Sequence, residues 1–151
     1  IFIMLMFIGA SPGSTGGGIK TTTIAVLWAV VISGLRKSQH VQLYRRTIPN
    51  EIIQKALSVF LISLFIVLAF CLLLLYLEPL PFASLVFETA SAFGTVGLST
   101  GVTGQLTTAG KVAITILMFI GRLGPLTLAY AFLRMRKPAD YRYAEERIMI
   151  G

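Results

Sequence analysis

Cysteine, histidine and acidic residues are scarce in this sequence, and each shortage argues against a class of function. The one cysteine, Cys71, leaves no disulfide to form within the chain. The one histidine, His40, has no second histidine or carboxylate at ligand spacing, so we interpret it as a solvated loop residue. Only 13% of the residues are charged and 56% are hydrophobic, whereas soluble domains have roughly 25% and 45–50%. We therefore predict a membrane protein without catalytic residues or a bound cofactor, and not an enzyme.

Basic residues are missing from the centre of the chain, between Lys55 and Lys111. The net charge of +7 lies mostly in two clusters: Arg36, Lys37, Arg45, Arg46 and Lys55, and then Arg134, Arg136, Lys137, Arg142 and Arg147. Between the clusters, 57–77 carries no charge, and about 20 apolar residues suffice to cross a bilayer. The positive-inside rule places both clusters in the cytoplasm and 78–108 outside. Nucleic-acid binding would need a soluble scaffold, so we do not expect it.

The order of apolar and Gly/Pro-rich segments predicts an all-α membrane protein. The predicted fold is a helix–pore-loop–helix repeat of a potassium-channel-like fold, preceded by a broken transmembrane helix. The predicted helices are 1–9, 21–34, 50–77, 82–93 and 107–133, and 82–93 is too short to cross the membrane. The predicted organisation is 1–35 for the broken helix, 36–50 for a cytoplasmic loop, 51–135 for the repeat and 136–151 for a cytoplasmic tail. Because the chain starts abruptly in apolar sequence, we expect it to be a fragment.

Two seven-residue segments are nearly identical. IMLMFIG (Ile3–Gly9) and TILMFIG (Thr115–Gly121) differ at two positions. Tandem repeats are common in transporters, so the echo supports a repeated helix. We expect the first copy to break at Ala10 and the second to continue through Arg122.

The segment TVGLS (Thr95–Ser99) follows the short helix directly. Non-helical backbone in a membrane must be buried in protein or line an aqueous cavity, and rings of carbonyl oxygens select potassium in channels. The backbone carbonyls of Thr95, Val96 and Gly97 are therefore candidate K⁺ ligands, with hydroxyls of Thr95 and Ser99 beside them and Leu98 in the same segment. The alternative is a glycine-rich external loop.

Arg122 and Glu88 are charged residues that stand out inside predicted apolar helices. Arg122 is expected near the membrane midplane, where a charge is costly and marks a functional position; below a cation filter it would act as an electrostatic barrier. Glu88, in the short helix, has two open interpretations: a functional group, or a structural partner of backbone amides behind the filter.

The stretch ASPGSTGGGIKTTT (Ala10–Thr23) has the composition of a phosphate-binding loop. Gly13 and Gly18 have the required separation, but Ile19 intrudes before Lys20, and the loop follows a membrane-type helix rather than a strand. A membrane-anchored phosphate- or nucleotide-binding protein using Gly13–Lys20 is therefore an alternative function. A non-conducting scaffold for a cytoplasmic ring is another. We favour a break in a helix that lies in the aqueous pathway.

Taken together, MFIGASPGSTGGGIKTTT, SAFGTVGLSTG and MFIGRLGPLTL resemble the ion-translocating subunits of the Trk/Ktr/HKT potassium transporter superfamily, closest to the bacterial Ktr type. That family builds one pore from four non-identical helix–pore-helix–helix repeats. By resemblance, this chain is the end of the third repeat and all of the fourth, and it cannot enclose a pore alone.

The resemblance implies a role for each motif. Thr95–Ser99 would be one quarter of the selectivity filter, and Ala10–Lys20 an intramembrane gating loop with Arg122 opposite it. Its gating residues would be Gly13, Ser14, Thr15, Gly16, Gly17, Gly18 and Lys20. The function would be potassium uptake across the bacterial inner membrane, with sodium as a further candidate ion. The implied partners are the upstream repeats, membrane lipid, a second copy of the subunit and a cytoplasmic nucleotide-binding ring, with Arg36–Arg46 and Tyr141–Gly151 facing the ring or the second subunit.

Overall fold

A computed structural model describes residues 1–36, 41–43 and 46–124. The described part is mostly helical, which confirms the all-α fold class. Its helices are α1 (Phe2–Phe7), α2 (Thr21–Leu35), α3 (Asn50–Leu77), α4 (Phe82–Gly94) and α5 (Thr108–Leu123), with one 3-10 turn at Thr103–Gln105. A two-stranded antiparallel hairpin, β1 (Gln42–Leu43) with β2 (Arg46–Thr47), lies in the loop between α2 and α3.

Helix α3 has the length and composition of a membrane span. It has 28 residues, and its most apolar 18-residue window has a mean hydropathy of 3.1 with only 11% of its residues buried. It ends where predicted, because Glu78 precedes Pro79 and the residue before a proline is pushed out of the helical region; Glu78 has φ −122° and ψ 126°. The large apolar side chains that α3 leaves exposed fit lipid or further protein.

Helix α4 is the centre of the fold. It packs against α1, α3 and α5, and seven consecutive residues, 88–94, are buried. Phe93 stacks on Phe7 with ring centroids 5.7 Å apart, and Phe7 makes an edge contact with Phe60 at 6.2 Å. A short helix enclosed on several sides matches the predicted helix 82–93, extended by one residue.

The sequence predicts a helix over 107–133 with a kink at Gly124 and Pro125, and the structure ends the helix there. Helix α5 ends at Leu123, and Gly124 has φ 84° and ψ 132°. The physical reason is Pro125, which disfavours helical backbone at the residue before it and carries no N–H. The hairpin in 36–50 was not predicted.

Several predicted features lie outside the described residues. They are the segment 125–135, the second basic cluster, the tail 136–151 and, in the first loop, Lys37, His40 and Arg45.

Candidate functional site

The two glycine-containing segments that the sequence singles out meet in the structure. The backbone N–H of Gly17 donates to Thr95 Oγ1 at 2.8 Å, although the residues are 78 positions apart. A Cβ atom on Gly17 would lie 2.9 Å from Thr95 Oγ1 and 3.0 Å from the carbonyl oxygen of Gly121. Only glycine therefore fits where the glycine loop (Ala10–Lys20) touches both the TVGLS segment (Thr95–Ser99) and α5.

The base of the glycine loop is closed by backbone hydrogen bonds. Ile8 and Ile19 form an isolated parallel bridge, in which Gly9 N donates to Ile19 O at 2.8 Å and Ile19 N to Phe7 O at 3.2 Å. The side chain of Ile19 is 0% exposed and belongs to the hydrophobic core. The residue that interrupts the phosphate-loop spacing is thus the anchor of the loop.

The tip of the glycine loop, residues 11–15, is exposed. The Lys20 ammonium folds back on it and donates to the carbonyl oxygens of Ser14 at 3.3 Å and Gly16 at 3.2 Å. The element before the loop is helix α1, whereas a phosphate-binding loop follows a strand. With its lysine bound to the loop's own carbonyls, the arrangement differs from a phosphate site.

The TVGLS segment begins with a sharp change of backbone direction. Thr95 caps α4 in the left-handed conformation (φ 52°), and Gly97 has φ 80°, a value that favours glycine. Ser91 Oγ donates to the Leu98 carbonyl at 2.5 Å. Within residues 1–36, 41–43 and 46–124, the carbonyls of Thr95, Val96 and Gly97 accept no hydrogen bond. Three consecutive carbonyls are thus available, and the fourth is held by the helix behind them.

The carboxylate of Glu88 lies behind the same segment and is 5% exposed. Its Oε1 accepts hydrogen bonds from Ser99 Oγ at 2.5 Å and from the Thr100 N–H at 2.9 Å, with Thr100 Oγ1 at 3.4 Å. Its Oε2 accepts from Thr103 Oγ1 at 2.8 Å. Of the two interpretations left open by the sequence, the structure agrees with a partner of backbone and hydroxyl donors next to the TVGLS segment.

The hydroxyls offered as further cation ligands are engaged with protein groups. Thr95 Oγ1 accepts from Gly17, and Ser99 Oγ bonds Glu88 while it accepts from the Gly101 N–H at 2.9 Å. The carbonyl oxygens therefore remain the better candidates for direct contact with an ion.

Arg122 lies at the end of a helix and not in its middle. Because α5 stops at Leu123, the guanidinium is in the last turn, where a positive charge interacts favourably with the helix dipole. It is exposed and pairs with no other residue that the structure describes. The preceding residue, Gly121, contributes the carbonyl that faces Gly17, so the backbone beside Arg122 is adjacent to the glycine loop.

Sequence reasoning missed a second buried glutamate, Glu78, which is 4% exposed. Its Oε1 accepts from Thr107 N at 2.9 Å and Thr107 Oγ1 at 2.6 Å, and Thr107 in turn caps α5 by accepting from Gly110 N at 3.2 Å. A threonine before an apolar helix is a readable capping signal. Its carboxylate partner, 29 positions earlier, is not readable from the sequence.

Comparisons with known proteins agree with these features. The profile of the TrkH family, described as cation transport protein, matches residues 1–141. A Ktr system potassium uptake protein B of Bacillus subtilis (strain 168) is 47% identical over 99% of this chain and 33% of its own length. The protein of the same name from Vibrio alginolyticus is 41% identical over 100% of this chain and 33% of its own length. The potassium/sodium uptake protein NtpJ of Enterococcus hirae is 38% identical over 99% of this chain and 34% of its own length.

The chain spans about a third of the length of the curated relatives it matches. The resemblance carried by its three motifs is confirmed, and the exposed apolar span α3 fits a protein of the membrane. The family transports cations, which is not an enzymatic activity. The chain belongs to the TrkH family of cation transport proteins.

Proposed function

We propose that the whole protein containing this chain takes up potassium across the plasma membrane, and that the chain supplies one filter segment and the gate. The observation that carries the proposal is the contact of Gly17 with Thr95. It joins the only two glycine-containing breaks between helices that the sequence marks as belonging in an aqueous pathway. The relatives' names, which mention potassium uptake, support the choice of ion.

In this proposal the carbonyls of Thr95, Val96 and Gly97 bind K⁺ together with equivalent segments of the upstream repeats. Their freedom from hydrogen bonds to described residues supports the assignment, because such carbonyls replace the hydration shell of the ion. Leu98 and Ser99 complete the segment by fixing its outer end to α4 through Ser91 and Glu88.

The glycine loop is proposed as the gate beneath this filter. Its base is fixed by the buried Ile19, whereas its tip (Gly13, Ser14, Thr15) is exposed and Gly17 donates to Thr95. An element with a buried base and an exposed tip that one lysine holds in place suits an order–disorder or hinge transition. Arg122, with its charge free of described partners, is proposed to repel cations near the closed loop.

The wider assembly is proposed from the family resemblance. It comprises the upstream repeats, a second subunit and a cytoplasmic nucleotide-binding ring, in a bacterial inner membrane with the basic loop and the C-terminus in the cytoplasm. Sodium is a candidate coupled or competing ion, and the name of NtpJ, a potassium/sodium uptake protein, supports it.

The proposed function is tested by bacterial growth at low potassium and by ion flux. The full-length gene is expressed in a bacterial strain that lacks its own potassium uptake systems, and rubidium tracer uptake is measured with and without competing sodium. We expect growth at low potassium to be restored. Gly97→Ser should lower the potassium-over-sodium preference, because a side chain at φ 80° strains the filter backbone. Failure of the wild-type protein to restore growth or to take up the tracer would reject the proposal and favour a non-conducting scaffold.

A further inference from the structure

We infer that Glu88 is a positioning residue that sets the outer end of the filter and thereby the cation preference. The inference rests on the proposed function, since it concerns the same filter. Glu88 touches none of the three candidate ion-binding carbonyls; it acts through the residues that follow them.

The filter segment is fixed at both ends, and Glu88 supplies most of the outer attachment. At the inner end, Thr95 is held by its bond from Gly17 and by the donation of its own N–H to Ala92 O at 3.1 Å. At the outer end, Ser91 holds the Leu98 carbonyl, and Glu88 holds Ser99 and Thr100. The free carbonyls of 95–97 lie between these two attachments, so their spacing depends on both.

Glu88 accepts its hydrogen bonds in a buried environment. Hydrogen bonds to an ionised carboxylate are shorter and stronger than those between neutral groups, and this carboxylate accepts from three hydroxyls and one backbone N–H. No lysine or arginine in the described ranges pairs with it, so these donors are its polar partners there. Ser99 Oγ and Thr103 Oγ1 are also 2.7 Å apart; since each hydroxyl has a single hydrogen, it donates either to Glu88 or to its neighbour and not to both.

Substitution by glutamine separates hydrogen bonding from charge. The amide oxygen of Glu88→Gln can accept at the Oε1 position, and its NH₂ can donate to Thr103 Oγ1, which then accepts instead of donating. Alanine at the same position removes every bond. If geometry is what Glu88 provides, glutamine keeps most of the selectivity and alanine does not.

The experiment measures potassium-over-sodium preference for the full-length transporter in proteoliposomes, with Glu78→Ala as the matched control. Glu78 is equally buried and also accepts a backbone N–H and a threonine hydroxyl, but its partner is Thr107, the cap of α5, and it does not contact the filter segment. We expect Glu88→Ala to lower the preference about tenfold, since the lost bonds are of the charge-assisted kind. Glu88→Gln should stay within about threefold of wild type, and Glu78→Ala should leave the preference unchanged while lowering thermal stability.

Three results would overturn the inference: wild-type preference in Glu88→Ala, equal losses in the glutamine and alanine variants, or an equal loss in Glu78→Ala. If Glu88→Ala cannot be purified, Thr103→Val takes its place, because it removes the donor to Oε2 and the contact with Ser99 Oγ but leaves the donors to Oε1 in the chain. A lowered preference in that variant supports the inference and a wild-type preference rejects it. Gly97→Ser, measured in the same assay, separates failure of the filter assignment from failure of the role inferred for Glu88. If it leaves the preference unchanged, the filter assignment itself fails, whereas a change in Gly97→Ser without one at Glu88 rejects only the role of Glu88.

Discussion

At the scale of single residues, Lys20 shows how a charge can hold a glycine-rich loop in one shape. Its ammonium is a donor only, and it reaches two carbonyls, those of Ser14 and Gly16, that the exposed tip would otherwise present to water. Lys20 is also the N-cap residue of α2, directly before Thr21, and its side chain makes no capping hydrogen bond there. Lys20 therefore ties the loop tip to the start of α2.

Replacing Lys20 by methionine should raise tracer flux through the full-length transporter about fivefold. The reason is that the closed loop loses two hydrogen bonds from a partly exposed ammonium, which we estimate at about 1 kcal/mol. The control is Lys111→Met, whose ammonium donates to the Gly104 carbonyl at 3.3 Å and does not contact the glycine loop. Flux in Lys20→Met that equals or falls below that of Lys111→Met, at equal membrane abundance, would contradict the prediction.

Residue identities could be singled out from the sequence, but their partners could not. Lys20, Glu88 and Arg122 stand out because charges are rare in apolar surroundings. The bonds they make join positions brought together only by folding, as with Glu88 and Thr103. Ile19 is the sharpest example: the sequence marks it as the residue that spoils a phosphate motif, and only the structure shows it as the buried anchor of the loop.

At the scale of elements, the site depends on how closely α4 approaches the helices beside it. A Cβ on Gly94 would overlap the carbonyl oxygen of Met6 in α1, and one on Gly121 would overlap the carbonyl oxygen of Phe93. Glycines thus let the C-terminal end of α4 contact α1 on one side and α5 on the other. This packing places Thr95 beside Gly17.

Gly121→Ala should therefore destabilise the fold by about 1–3 kcal/mol, the usual range for overpacking a close contact. The matched control is Gly34→Ala in α2, where a Cβ would meet nothing within 4 Å; there we expect no loss, or a gain of roughly 0.5–1 kcal/mol from helix propensity. Thermal unfolding of the purified full-length protein in detergent measures both. Equal melting temperatures for the two variants would contradict the packing argument.

Element boundaries were predictable where prolines and glycines punctuate the chain. Pro79 and Pro81 mark the gap between α3 and α4, and the twelve-residue length of 82–93 marks the short helix. The two similar segments, Ile3–Gly9 and Thr115–Gly121, differ in structure as predicted: α1 ends at Phe7, while α5 continues through Arg122. The Gly124–Pro125 pair predicts a kink in the last helix, and in the structure α5 ends at Leu123, directly before that pair.

At the scale of the whole molecule, the chain matches one part of longer proteins in the cation transport family. It spans about a third of its relatives' length, and its long helix α3 is largely uncovered in this part alone. The described part contains the contact between the candidate gate, which is the glycine loop, and the candidate filter segment, which is TVGLS. We therefore expect closure of the ion path to depend on the glycine loop more than on any other segment that the structure describes.

Deleting Ser11–Gly17 from the full-length protein should raise flux at least about tenfold, a barrier reduction of roughly 1.4 kcal/mol or more. The deletion removes the exposed tip and the Gly17 contact with Thr95. Gly9 and Ile19, hydrogen-bonded at 2.8 Å, hold the flanking chain together.

The control replaces only the exposed residues 11–15 by a glycine–serine segment of the same length, which keeps the loop in the path and should leave flux near wild type. Since the carbonyls of the filter are untouched, potassium preference should largely persist in the deletion. Tracer uptake with and without sodium measures both quantities, and a deletion variant that conducts no faster than the control would show that the barrier lies elsewhere.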